Sequence, residues 1–273
     1  MKKYIQNIIL ILLPFTFSLY SCEKVIDIDL NEAASKLVVE GNISSEPGPY
    51  EVRLTRSGGY FDNTAVQPVA NAQVRISDEK GNVELLTESS PGTYLTESLV
   101  GIENTNYTLE VVVEDQVITA SEFLPKKVEI DSLSYEVTNF GPPPSAPGEI
   151  NVRLLCTFTD PAETVDFYRF ITYLNGEQLD GLFNPYYVID DELINGRTFS
   201  VSLPFIRILP GDSIKVDLQS IGPNTYAYFN SLNDAIDGGG IGSTPYNPKT
   251  NLDNDALGYF GSYTVSSDSI VIQ

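Results

Sequence analysis

Residues 69–98 read VANAQVRISDEKGNVELLTESSPGTYLTES. Val74 and Ile76 alternate with Arg75 and Ser77, the period of a strand with one buried face. Asp78, Glu79, Lys80 and Gly81 supply a turn in which Gly81 takes the positive-φ position. Val83 and Leu85 resume the alternation, and Ser89-Ser90-Pro91-Gly92 turns the chain again before TYLTES. Strands this short, punctuated this often, predict an antiparallel all-β fold.

The same grammar extends in both directions. Upstream, KLVVEGNIS is a strand and SEPGP a turn. In the strand that follows, Tyr50, Val52 and Leu54 oppose Glu51, Arg53 and Thr55. GGYFDN then reads as a loop. Downstream, NYTLEVVVEDQVITASEFLP holds two strands around a Glu114-Asp115 turn. Residues 37–125 are therefore expected to form a small sandwich. Its spacing resembles prealbumin-like or Ig-like modules, which are mostly scaffolds and carry no chemistry by fold alone.

Pro125 and the basic pair Lys126-Lys127 mark a boundary, and residues 126–273 are expected to form a second sandwich-like domain with one short helix. NFGPPPSAPGE is an irregular, extended loop. In NVRLLCTFTD, Val152, Leu154, Cys156 and Phe158 share one face, so Cys156 is expected to be a buried thiol. Tyr168, Phe170, Thr172 and Leu174 oppose Phe167, Arg169, Ile171 and Tyr173 on a strand predicted to be central, and Asn175-Gly176 signals a hairpin. GPNTYAYFNSLNDAI predicts the helix, with Asn224 as its N-cap, Tyr228, Phe229, Leu232, Ala235 and Ile236 as its apolar side, and Gly238-Gly239-Gly240 as its end. LGYFGSYTV and SIVIQ read as the closing strands.

The N-terminus has its own logic. Lys2 and Lys3 precede an apolar run over residues 8–19, which ends at Tyr20, Ser21 and Cys22. The run is too short for a comfortable membrane-spanning helix and fits a bacterial secretory signal over residues 1–21. Leu19-Tyr20-Ser21-Cys22 resembles a lipobox. A cysteine placed just after cleavage can carry a diacylglyceryl group on its thiol and an acyl chain on its amine, and two or more chains make a stable anchor. Residues 22–36 then read as an acidic tether. Asp27 and Asp29 share one side of it and read as a solvated face rather than a cation site.

A formal net charge of −21 argues against nucleic acid and anionic bilayers as ligands. Histidine is absent, which excludes His-dependent triads and imidazole acid–base chemistry. Tryptophan is absent too, so a sugar-stacking surface would use tyrosine, present 16 times. Carboxylates are the remaining catalytic class. Asp190, Asp191 and Glu192 read as a solvated turn, with calcium ligation or acid–base work as the rarer uses of such a trio. Asn251, Asp253 and Asp255 resemble the opening of a calcium loop, but Ala256 stands where the turn glycine belongs and the closing glutamate is missing. No cofactor is expected, and no metal is assigned. The residues expected to meet a partner are Tyr246, Tyr259, Phe260 and Tyr263, in a long loop rich in glycine, proline and asparagine. Tyr246 is expected to be its exposed member, with at least one of Tyr259 and Phe260 in the core.

CEKVIDIDL, LVVEGNIS with GPYEVRLTRSGGY, VANAQVRISDEKG, GTYLTES, EIDSLSY, YAYFNSLNDAI and GYFGSY occur in this order. Together they resemble the DUF4249 lipoproteins of Bacteroidota. That resemblance implies an outer-membrane, lipid-anchored protein associated with TonB-dependent uptake receptors. It carries over no active residue. A non-catalytic binding lipoprotein is the expected function, and the alternative is a carboxylate-dependent hydrolase acting on polysaccharide or peptide.

Replacing Cys22 with serine should release the protein from the membrane fraction and abolish labelling by a fatty-acid analogue. Labelling that persists in Cys22→Ser would refute the anchor.

Overall fold

The computed structural model describes residues 35–58, 66–141, 143–179, 186–237 and 246–273. The signal, Cys22, Asp27, Asp29, residues 59–63 of the GGYFDN loop and the run Gly238-Gly239-Gly240 lie outside them.

The fold is all-β with one helix. The first block supplies β1 (Leu37–Ser44), β2 (Glu51–Arg56), β3 (Gln67–Pro68), β4 (Gln73–Asp78), β5 (Val83–Leu85), β6 (Thr87–Ser90), β7 (Thr93–Leu95), β8 (Thr105–Val113) and β9 (Gln116–Leu124). The second supplies β10 (Ile130–Val137), β11 (Ile150–Thr159), β12 (Phe167–Leu174), β13 (Glu177–Gln178), β14 (Tyr187–Asp190), β15 (Thr198–Ser202), β16 (Ile206–Ile208), β17 (Ser213–Ile221), α1 (Pro223–Asp237) and β18 (Leu257–Val271).

The turns fall where the sequence places them. Gly81 has φ +89°, Glu114 opens the β8–β9 turn at φ 53°, and Asn175 and Gly176 are both left-handed between β12 and β13. Alternation is equally literal. Val152, Leu154, Cys156 and Phe158 are all fully buried, and burial pushes the Cys156 thiol up to about 12. The chain-closing strands are not two but one, since β18 runs unbroken for 15 residues.

The two sandwich-like regions expected from the sequence are present, but that single strand joins them. Two cores exist, and they divide near residue 125 except that Leu252, Ala256 and Phe260 return to the first. One four-stranded sheet, β5-β4-β8-β9, covers the first core, and another, β10-β11-β15 with β16, covers the second. Both cores share a ten-stranded sheet ordered β13-β12-β17-β18-β1-β2-β7-β6, with β14 on β12 and β3 on β2. Inside it β18 pairs in parallel with β1, from Val38↔Leu257 to Ser44↔Tyr263, and antiparallel with β17, from Ile221↔Tyr263 to Ser213↔Val271. The physical reason is length. At about 3.3 Å per residue, a 15-residue strand outreaches either neighbour, so its two halves serve different partners. Residues 35–273 form one compact unit.

Gly258 fits this junction closely. Its φ is +93°, and a Cβ there would stand 2.0 Å from the Val39 carbonyl oxygen. Gly258→Ala should therefore cost on the order of 2 kcal/mol or more. Because β18 serves both cores, calorimetry should show one cooperative transition, moved as a whole to lower temperature. Two resolved transitions, only one of them displaced, would contradict the shared sheet.

Candidate functional site

One face of β12 and β17 packs into the second core through Tyr168, Phe170, Ile214, Val216 and Leu218. The opposite face carries Phe167, Arg169, Ile171 and Tyr173 on β12; Gln219, Asp217 and Lys215 on β17 stand in register with the last three, and alternation adds Ile221. The register continues through Tyr263, Val265 and Ser267 on β18, and alternation adds Tyr259. Helix α1 lies over this face. Tyr226 stacks on Phe167 with centroids 4.7 Å apart, and Tyr228 stacks on Tyr259 at 4.3 Å. Tyr186 joins from the start of β14, stacked on Phe229 at 5.0 Å.

The helix does not bury the side the sequence predicts. Phe229 is buried, but Ile236 is 50% exposed, while Thr225, Ser231 and Asn233 are buried. Its N-cap is also not Asn224, which falls in the first turn and donates to the Ser121 carbonyl. The capping acceptor comes from another strand. Glu122 on β9, 2% exposed, accepts the Thr225 N–H at 2.7 Å, the Thr225 hydroxyl at 3.0 Å and its neighbour Phe123 N–H at 2.9 Å. A carboxylate suits the positive end of a helix. Burial still raises the Glu122 pKa, against the hydrogen bonds that lower it. Gly222 permits the approach, since a Cβ there would lie 2.5 Å from the Glu122 carboxyl. The Ser262 N–H donates to the Thr225 hydroxyl, and the Ser262 hydroxyl to the Phe123 carbonyl, so β9, α1 and β18 meet in one polar knot.

Arg169 is the unusual group on this face. Its guanidinium lies 4.2 Å from the Phe229 centroid and 5.6 Å from that of Tyr186. Burial pulls its pKa down from the usual guanidinium value, and the tyrosines around it push the other way. Lys215, on the same face, has Asp217 at 2.9 Å as well as the Tyr173 ring at 4.4 Å. Arg169 has no carboxylate partner among the described residues. Ring contacts return about 0.5–2 kcal/mol, whereas removing an ion from water costs several. Arg169 is only partly buried, and its guanidinium nitrogens are not among the sealed, unpaired atoms, so the rings and solvent share it.

A second cluster sits at the ends of β11, β12 and β14. Asp160, Asp166 and Asp191 are buried, with one oxygen of each within 4.8 Å of the others. Such a set could hold a hard cation through oxygen. It is also well supplied with donors. Tyr168 donates its hydroxyl to Asp160 at 2.5 Å, Gly196 its N–H to Asp160 at 2.9 Å, Thr164 its hydroxyl to Asp166 at 2.5 Å, and Asp166 its own N–H to Asp191 at 2.9 Å. The solvated-turn reading of Asp190, Asp191 and Glu192 therefore fails at Asp191. Its neighbours diverge, with Asp190 accepting from the Tyr226 hydroxyl at 3.0 Å and Glu192 exposed.

The description "Domain of unknown function (DUF4249)" matches residues 23–269. The chain belongs to the DUF4249 family. No curated protein matches it.

The partner residues expected from the sequence separate in this DUF4249 chain. Phe260 is fully buried in the first core and cannot meet a partner. Tyr259 and Tyr263 are half-buried on the helix-covered face. Tyr246 is 51% exposed, its hydroxyl donating to the Ser231 carbonyl. The calcium-loop residues are committed elsewhere. Asn251 bridges the Phe260 backbone, Asp253 takes the Thr119 N–H and hydroxyl at 2.7 and 2.6 Å, and the Asp255 side chain is 93% exposed. Arg169, Gln219, Glu122 and Asp166 were not singled out by the sequence reading. For Glu122 and Asp166 the signal was an acid in phase with buried neighbours, Ala120 and Leu124 for one and Tyr168 for the other.

Burial raises the Asp166 pKa, and the charges of Asp160 and Asp191 raise it further. A raised acid penalises the folded state at neutral pH. The penalty disappears below about pH 4, where folded and unfolded carboxyls are both protonated. In chelator, Asp166→Asn should melt a few degrees higher than the parent at pH 7, with the gap closing toward pH 4. An equal or lower melting temperature at pH 7 would show that the trio is not in like-charge conflict.

Proposed function

We propose that this protein is a non-catalytic cell-envelope lipoprotein of Bacteroidota. Lipid on Cys22 anchors it to the outer membrane, and it binds a ligand or partner in association with TonB-dependent uptake. The observation that carries the binding role is the helix-covered face, where aromatic rings and polar side chains stand in place of an aliphatic core. Tyr186, Tyr228, Tyr259 and Tyr263 are each half-buried there. Rings of this kind give rigid contact area with a hydroxyl at the rim, a combination enriched at interfaces. Tyr246 stands at the margin, tied to α1 through Ser231.

The hydrolase alternative finds little support in the acidic trio. Glycosidase carboxyls face each other across a cleft at about 5–9.5 Å. Here the oxygens lie within 4.8 Å, are buried, and are engaged by donors from their own chain.

The test is cross-linking and co-purification from envelope membranes with the parent and with Tyr246→Ala. Tyr246→Ala should weaken recovery of a receptor-class envelope partner several-fold while moving the melting temperature by less than a few degrees. Undiminished recovery would count against this margin. A large loss of stability would make Tyr246 a packing residue.

A further inference from the structure

Arg169 is a forked cation with five N–H donors, and no hydrogen bond or ion pair to it exists among the described residues. Of the acids on this face, Glu40 on β1, in register with Tyr259, is exposed and makes no ion pair with Arg169, and two others are engaged elsewhere. Asp217 takes Lys215 at 2.9 Å and the Ser267 hydroxyl at 2.6 Å, and Asp190 takes Tyr226. Phe229 covers one side of the guanidinium, which leaves its edge as the donor surface.

Two further polar groups, one on the sheet and one on the covering helix, are unsatisfied. Gln219 is the cross-strand neighbour of Arg169 on the same face. It is only 7% exposed, and its Oε1 has no donor. Asn233 lies one helical turn beyond Phe229 and is 9% exposed. Its Nδ2 donates to the Tyr186 carbonyl at 2.7 Å, while its Oδ1 has no donor. Native proteins seldom leave buried acceptors unmet. An unpaired guanidinium and two buried, unmet amide oxygens around one set of rings specify complementary chemistry. The guanidinium edge matches a planar carboxylate through two parallel hydrogen bonds. The amide oxygens require donors, which hydroxyl groups supply. The rings accept the apolar face of a sugar.

We propose that Arg169, Gln219 and Asn233 form a subsite for a hydroxylated carboxylate, the chemistry of a uronic acid residue. The carboxylate sits on Arg169, the hydroxyls donate to Gln219 Oε1 and Asn233 Oδ1, and the ring rests on the tyrosines. This assignment rests on the binding role proposed above and names the ligand class for it.

Titration calorimetry on the full purified protein with sodium glucuronate, glucose and acetate tests it. Glucuronate should bind about tenfold or more tightly than glucose, which lacks the carboxylate, and than acetate, which lacks the hydroxyls. Arg169→Gln should abolish the preference over glucose. It should leave the melting temperature of the unliganded protein unchanged or higher, because the substitution removes a partly desolvated charge that has no acid partner. Gln219→Leu should weaken glucuronate several-fold without loss of stability, and it serves as the second variant if Arg169→Gln does not fold. Absence of glucuronate binding at millimolar concentration would overturn the subsite, as would acetate binding equally well or Arg169→Gln retaining the preference. Should glucuronate fail while Tyr246→Ala still loses its partner, the subsite falls and the binding role stands.

Discussion

The parallel ladder between β1 and the first half of β18 is the constraint on which the rest depends. It joins the first strand of the compact unit to the last, with seven residue pairs from Val38↔Leu257 to Ser44↔Tyr263. Neither core closes without it. Val39 and Ile43 of β1 and Phe260 of β18 are fully buried in the first core, and the second half of β18 completes the sheet over the second. Burying such side chains contributes about 1.5–3 kcal/mol each, but only once strands more than two hundred residues apart have met. Pairing so distant closes loops before it gains contacts. The first block therefore contains most of a sandwich and lacks the strand that would finish it.

The knot around Glu122 follows from the same crossing. Where β18 passes from β1 to β17, the Glu122 side chain from β9 caps α1, and Ser262 is held by both Thr225 and the Phe123 carbonyl. A helix with no acidic residue in its own first turn thus receives its charge from a distant strand. Its position over the sheet is set by that contact at one end and by aromatic stacking along its length.

What could be read from the chain and what could not divide along a physical line. Turn chemistry is local, so Gly81, Glu114 and Asn175-Gly176 were legible. Alternation fixes which face a residue takes, so the burial of Cys156 was legible as well. Alternation does not name the partner strand, so the β1–β18 pairing was invisible and the segment after Pro125 read as a separate domain. The helix misled for a related reason. Tyr228, Leu232 and Ile236 make a plausible apolar stripe, but the surface beneath carries Arg169 and Gln219 rather than aliphatic side chains, and the turn that faces it is Thr225, Phe229 and Asn233. Periodicity predicts the buried side only when the partner is apolar.

That exception places the chemistry. Sequences that fold to one structure satisfy packing and polar pairing together, and departures concentrate where function requires them. Both cores here are filled mainly by Val, Leu, Ile and aromatic residues in phase. The helix-covered face departs in three ways: a cation without an acid in a strongly acidic chain, amide oxygens without donors, and a buried helical side made of Thr, Phe, Ser and Asn. A purely structural sheet–helix contact would be more stable with aliphatic residues at these positions, since a buried charge is often replaced at no loss by apolar side chains of similar volume. Folding therefore does not account for the composition of this face. The ligand class proposed above, an anion for Arg169 with donors for Gln219 and Asn233, would account for it.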